Sequence, residues 1–188
     1  MRNRNEVGAI ETVYDRYRFR SRLEARWAVF FKTARIRYIY EPECFRLPTD
    51  GELYLPDFYL PEVNMRTTEN KGGIYVEVES STTNYYGTDY LDELSWITGR
   101  SVLLIQGMPK VGGHYEFTCT PYCITWDIDM HFMRCYKCLR VRVQYGNCCK
   151  PCEYCLKQSG EQSRCDAAHP SLVHAAKVAR SYRFDRRG

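Results

Sequence analysis

Long apolar runs do not occur in this 188-residue chain: stretches such as Val102–Ile105 fall far below the ~20 residues needed to cross a bilayer. Residues 1–20 are charged and tyrosine-rich, unlike a secretory leader, which joins a basic start to an apolar core. A cytosolic protein that does not engage a membrane is therefore expected. No internal repeat and no long low-complexity linker is found, which excludes a repeat array. Histidine is scarce, at four residues, and lone histidines more often satisfy local polar groups than bind metals.

Cysteine, by contrast, is abundant. Ten cysteines in a cytosolic chain read as metal ligands with some buried thiols rather than as a disulfide framework. The length suits one domain with a small appended module. The net charge of +4 hides an uneven distribution: residues 1–40 carry ten Lys/Arg against four acids, 41–100 four against twelve, and 101–188 thirteen against seven. Basic ends can grip a polyanion while an acidic centre collects divalent cations. An ordinary mixed surface is the competing explanation of the same charges.

Leu23, Trp27, Phe30, Phe31 and Ala34 recur at helical spacing, which predicts a helix over Arg20–Arg35 with that face in the core. Ile36–Tyr40 and Glu52–Leu60 read as strands separated by Pro42, Pro48 and the Thr49-Asp50-Gly51 turn. Ile74–Ser80 alternates Ile74, Val76 and Val78 with Tyr75, Glu77 and Glu79, and is the sharpest strand signal in the chain. Thr88 is placed to cap a helix to Ile97, and Ser101–Gln106 follows as a buried strand. The order is helix, three strands, helix, strand, which predicts a mixed α/β layer. Beyond it, Tyr115–Met133 reads as β-rich and Ser171–Tyr182 as a helix.

Glu77 and Glu79 lie two apart on a strand, so both side chains leave one face and can converge on an ion. Asp57, after Pro56, adds a third carboxylate where proline bends or edges a strand. The bland alternative is a pair of solvated acids on a half-exposed sheet. The combination of Phe19-Arg20-Ser21-Arg22-Leu23-Glu24-Ala25-Arg26-Trp27, Tyr40-Glu41-Pro42, Tyr54-Leu55-Pro56-Asp57-Phe58 and Tyr75-Val76-Glu77-Val78-Glu79 resembles the PD-(D/E)XK nuclease superfamily. More narrowly, it is similar to a group of phage-encoded nucleases predicted from sequence. The resemblance covers about residues 17–106, and less specifically the ending from His169-Pro170 to Phe184.

That resemblance implies a restriction-endonuclease-like core in which Asp57 and Glu77 hold Mg²⁺ or Mn²⁺, Glu24 assists from the helix, and Glu79 joins the catalytic set. Hard ions take oxygen ligands and activate water. Glu79 stands where the superfamily usually carries lysine, although some restriction endonucleases of that superfamily have E-x-E. Lys71 and Arg100 are the nearby basic residues available as a displaced replacement. Glu79 would otherwise serve as general base.

Arg18, Arg20, Arg22 and Arg26, with Arg16, crowd the start of the first helix, where guanidinium groups can hold phosphates. Pairing with Asp15, Glu24 and other surface acids is the alternative, expected of at least two of them. Tyr85 and Tyr86 are the tyrosines singled out for base stacking.

Cys135-x2-Cys138 and Cys152-x2-Cys155 frame thirteen residues, a spacing that brings two thiolate knuckles to one tetrahedral Zn²⁺. Cys149-x2-Cys152 is an equally good knuckle, so Cys149 is the alternative ligand. Four cysteines leave no open position, so the zinc is expected to be structural. Cys44, Cys165 and one of Cys148/Cys149 are expected as buried thiols. Cys119-x3-Cys123 with His114 or His131 offers a second site. Lys137, Arg140, Arg142 and Lys150 surround the knuckles and offer contacts to nucleic acid or protein.

These readings divide the chain into a nuclease-like core (1–118), a cysteine-rich zinc module (119–168) and a terminal helix (169–188). The function expected is a Mg²⁺- or Mn²⁺-dependent DNA endonuclease or junction-processing nuclease. The alternatives are an inactive nuclease-fold module that binds nucleic acid, and a phage-type protein that binds a host protein to blunt defence. If the chain is phage-encoded, its compartment is the host cytoplasm.

Overall fold

A computed structural model describes residues 10–65, 72–80, 89–110, 117–120, 123–125, 130–145 and 150–184. In chain order its elements are β1 (Thr12–Tyr14), β2 (Tyr17–Phe19), α1 (Arg22–Thr33), β3 (Ile39–Tyr40), β4 (Phe45–Arg46), β5 (Leu53–Tyr54), β6 (Phe58–Leu60), β7 (Asn64–Met65), β8 (Ile74–Glu79), α2 (Asp89–Thr98), β9 (Ser101–Gln106), β10 (Phe117–Thr120), β11 (Cys123–Thr125), β12 (Met130–Cys135), β13 (Val141–Tyr145), β14 (Lys150–Pro151), α3 (Glu153–Ser159), β15 (Arg164–Asp166) and α4 (Pro170–Ser181).

The chain folds as a mixed α/β structure. One sheet runs β11-β10-β9-β8-β6-β3, with β8 antiparallel to β6 and parallel to β9. The parallel step needs a crossover, and α2 supplies it between β8 and β9. A second sheet runs β14-β15-β12-β13-β7, in which β7 pairs in parallel with β13. The expected boundary at residue 118 falls inside β10, and β10 pairs with β9. The first sheet thus continues past that boundary, while β7 carries the first half of the chain into the second sheet.

Helix α1 begins two residues later than the periodicity alone predicts. Ser21 sits in extended conformation and its hydroxyl accepts the Glu24 N–H at 3.1 Å, satisfying a donor that the first turn leaves open. The buried face is broader than one stripe: Ala25, Trp27, Ala28, Val29, Phe30 and Phe31 are all buried. The reason is that α1 is covered from two sides. Phe31 meets Phe58 of β6 and also Phe132 of β12, and Trp27 and Phe30 contact Phe132 as well. Ala175, Ala176 and Ala179 of α4 belong to the same core, and such small residues let two helices approach closely.

Strand β8 separates two cores. Ile74, Val76 and Val78 join the α1 side, whereas Tyr75 packs with Leu91 and Leu94 of α2 and with Val102 and Leu104. All six residues of β8 are buried, so the half-exposed strand suggested by alternation is instead covered on both faces. The β1–β2 hairpin has no such local signal. Its two-residue turn holds Asp15 and Arg16 at φ of 49° and 72°, the primed turn that matches strand twist. Asp-Arg is not one of the usual sequence signals for that turn. Asp15 is fixed there because its carboxylate accepts from Tyr38 at 2.8 Å and pairs with Lys32.

Candidate functional site

Asp57 immediately precedes β6, one step beyond the Phe58–Val76 pair, and so meets Glu77 across the ladder. Its backbone N–H points to Glu77 Oε2 at 3.4 Å. The Asp57 carboxylate accepts the Val78 N–H at 2.8 Å through Oδ2 and Arg20 Nη2 at 2.6 Å through Oδ1. Arg20 Nε also reaches Glu41 at 2.9 Å. Glu24, in the first turn of α1, accepts from Ser21 Oγ and from the Tyr40 hydroxyl, both at 2.7 Å. Tyr40 in turn accepts the Arg20 backbone N–H at 3.1 Å. The segment 20–24 therefore ties Glu24 and Asp57 into one network.

Asp57 is 0 % exposed, Glu77 1 %, Glu24 5 % and Glu79 6 %. Those values rule out the reading of Glu77 and Glu79 as solvated surface acids, since carboxylates this deep require polar partners. Tyrosines supply some of them. Tyr54 donates to Glu77 Oε2 at 2.5 Å, and burial followed by the Glu77 charge pushes its pKa well above the ordinary phenol value. Tyr40 is raised in the same way, by burial and then by Glu24. Both phenols thus stay protonated and keep donating. Burial would pull Arg20 down, but the adjacent Asp57 charge outweighs it and the guanidinium pKa rises. Neither tyrosine stands out in the sequence as a site residue, although both belong to the Tyr-Glu-Pro and Tyr-x-Pro-Asp-Phe segments.

The expected convergence of three carboxylates on one ion is only partly reproduced. Asp57 and Glu77 are cross-strand neighbours, and Glu79 lies two residues along β8 on the Glu77 side. Yet among the described residues the carboxylates form no group of three whose ligand oxygens all lie within 4.8 Å of one another; four cysteines do. Arg20 sits on Asp57 and Glu41 and supplies the positive charge there. Arg100 does not stand in for the missing lysine. Its guanidinium bonds to the Gly72 carbonyl and lies 5.3 Å from the Tyr59 ring, at the Ile74 end of β8 and away from Glu77 and Glu79. Lys71, Tyr85 and Tyr86 lie outside the described residues.

The arginines on β2 and at the start of α1 divide by partner. Arg18 pairs with Glu11 at 3.1 Å on the exposed surface, and Arg20 is taken up by Asp57 and Glu41. Arg26, expected to hold phosphate, donates Nη1 to the carbonyls of Ala179 and Arg180 at 2.6 and 2.8 Å, closing the end of α4. Carbonyls at a helix C-terminus attract a cation. Among the described residues Arg22 has no ion-pair partner, and its Nε is buried without a hydrogen bond. Arg26→Ala should therefore lower stability by about 1–3 kcal/mol, read as a shifted urea midpoint. It should leave the salt dependence of nucleic-acid binding unchanged; a flattened dependence would return Arg26 to the phosphate-binding set.

The second site is a closed one. Cys135, Cys138, Cys152 and Cys155 place their sulfurs within 4.8 Å of one another, with Cys135–Cys155 and Cys138–Cys152 each at 3.7 Å. A disulfide needs ~2.05 Å, whereas sulfurs ~2.3 Å from a tetrahedral zinc stand roughly 3.8 Å apart. The cluster fits structural zinc. Burial raises the Cys135 thiol, but Ser163 and the N–H groups of Cys138 and Lys137 more than offset it and draw the pKa down to about 6. Burial instead pushes the Cys138 thiol up to about 12 and raises Cys155 as well, so only Cys135 is drawn toward the thiolate form that binds a cation.

Comparison with family models, curated proteins and solved structures finds no match for this chain.

The remaining cysteines are mixed in outcome. Cys165 is buried beside the cluster on β15, opposite Cys135, as a thiol was expected to be. Cys44 is exposed, against the same expectation, because it lies in the open segment before β4 and outside every core cluster. Cys148, Cys149 and His114 lie outside the described residues, as do the side chains of Cys119 and Cys123. His131 is buried on β12 opposite Gln144.

Proposed function

We propose that this chain is a divalent-metal-dependent nuclease of PD-(D/E)XK type acting on DNA, with Asp57 and Glu77 as the ion's carboxylate ligands. The observation that carries the reading is the juxtaposition of buried Asp57 and Glu77 on neighbouring strands, linked through Arg20 and Tyr40 to Glu24 at the start of α1. The order α1, β3, β6, β8, α2, β9 around them is compatible with it, the short β4–β5 hairpin and β7 being insertions. Carboxylate oxygens suit Mg²⁺ or Mn²⁺. When bound there, such an ion supplies an activated water and neutralises charge at the attacked phosphorus.

The chain's own residues perform the rest. Tyr54 holds Glu77 in place through Oε2. The Val78 N–H fixes Asp57 through one oxygen, so the oxygen now paired with Arg20 is the one released to an ion. Arg20 is half exposed, and on leaving Asp57 it is placed to meet a phosphate. Glu79 extends the carboxylate row along β8 and is the candidate general base in place of lysine.

One observation favours a second reading, an inactive nucleic-acid-binding module: Arg20 already balances Asp57 and Glu41, which a site without an ion requires. Incubating purified protein with linear, circular, single-stranded and branched DNA in Mg²⁺ and Mn²⁺ separates the two. Cleavage that depends on the ion supports the enzyme; binding without cleavage under every condition supports the module. Glu79→Lys sharpens the distinction, since it should impair a working E-x-E enzyme and would create activity only in a decayed one.

A further inference from the structure

At the far end of α1 from the carboxylates, the zinc knuckle and the turn after β6 enclose a cleft of about 710 Å³. Arg35, Arg134 and Arg140 line it, with Glu62 as its single acid. None of the three arginines has an ion-pair partner among the described residues. Arg134 is buried, at 6 % exposure. It donates to Ser171 Oγ at 2.7 Å and to the Ala34 carbonyl, but its Nε is buried without a partner. Arg140 stacks over the Tyr154 ring at 3.9 Å, which fixes its plane at the rim. The volume lies in the range of sites that take nucleotide-sized groups.

We propose that this cleft binds the phosphodiester backbone of a nucleic-acid strand, at a site distinct from the carboxylates. The proposal rests on the nucleic-acid reading above but not on catalysis. Helix α1 has 12 residues and spans about 18 Å, which sets the scale of the separation between the cleft and the Arg20–Asp57 pair. Cys138 to Val141 form one wall, so zinc bound by the cysteines would hold in place the knuckle that presents Leu139 and Arg140 to the strand. Guanidinium groups suit this role because their fork of donors matches phosphate oxygens.

The test measures anisotropy of labelled single- and double-stranded oligonucleotides across a salt series, without added divalent ions. Arg35 and Arg140 are exposed, so the double substitution Arg35→Ala with Arg140→Ala should leave the fold intact. It should weaken binding roughly ten-fold and flatten the logarithmic salt slope by about one per residue. Glu62→Gln, which removes the repelling charge, should tighten binding several-fold. Unchanged affinity and slope in the double variant would overturn the proposal, as would wild-type protein that binds inorganic pyrophosphate but no oligonucleotide. Absence of cleavage once Mg²⁺ or Mn²⁺ is added, alongside the expected binding pattern, would sink the nuclease reading and leave the cleft assignment standing.

Discussion

Cys138→Ser and Cys155→Ser should each strip the zinc and dismantle the knuckles together with β15 and α3. The local core consists of Met133, Cys135, Cys152, Cys155, Cys165 and Ala167, with Cys138 beside it, so half of its buried side chains are ligands and the fourth ligand borders it. A cluster that small buries too little apolar surface to hold its backbone in place. Structural zinc typically contributes ~10–16 kcal/mol of apparent binding free energy at neutral pH, more than the whole stability of most domains. Metal analysis should find zinc bound to the wild type and almost none in either variant. Circular dichroism and proteolysis should show loss of the knuckles, α3 and β15 while the first sheet persists, since Met130, Phe132, Val141 and Val143 remain in the core around α1. Acidification should act in the same direction, because protons compete with zinc for the four thiolates and affinity falls as pH falls. Protein that keeps its fold and protease resistance after complete zinc removal would overturn this account.

The second large effect is expected at Asp57. Asp57→Asn retains an amide oxygen to accept the Val78 N–H but removes the negative charge that pairs with Arg20. If Asp57 holds the ion, cleavage should fall by on the order of 10³-fold, since metal stabilisation of the transition state amounts to several kcal/mol. Nucleic-acid binding should persist or tighten slightly, because Arg20 is freed from its carboxylate partner. Asp57→Ala is a poorer probe, for it also leaves the Val78 N–H without its acceptor and costs stability. An Asp57→Asn protein that cuts as fast as wild type would remove Asp57 from the chemistry. Equal loss of binding and cleavage would instead assign it a positioning role through Arg20.

Helix α1, strands β8 and β9, α2 and α4 were legible because each has a strong local period or cap: Ser21 before Leu23 and Trp27, the alternation of Ile74 to Glu79, and Pro170 opening α4 after His169. The zinc knuckles were legible for a similar reason, since a ligand spacing is a local property of the chain: Cys135, Cys138, Cys152 and Cys155 come together, while the alternative ligand Cys149 lies outside the described residues. Some short pieces were not legible. β4 and β7 have two residues each, too few to carry a period, and they exist because neighbouring strands offer them hydrogen bonds, whereas the equally short β3 and β5 fall within the expected strands Ile36–Tyr40 and Glu52–Leu60.

Residue type and spacing alone thus specified the mixed α/β class, the cysteine cluster and the candidate carboxylates, because each depends on neighbours within a few positions. Three matters were settled by contacts between residues far apart in the chain. Burial turned Glu77 and Glu79 from plausible surface acids into interior groups, Glu77 held by Tyr54. Pairing across 37 and 153 positions sent Arg20 to Asp57 and Arg26 to the end of α4. The meeting of Arg35, Arg134 and Arg140 around one cleft needed α1, β12 and the zinc knuckle to come together. A guanidinium or a carboxylate looks the same in any sequence; whether it faces water, a counter-charge or an empty cleft depends on which distant segment packs against it, and the Coulomb and desolvation energies that decide its role follow from that packing.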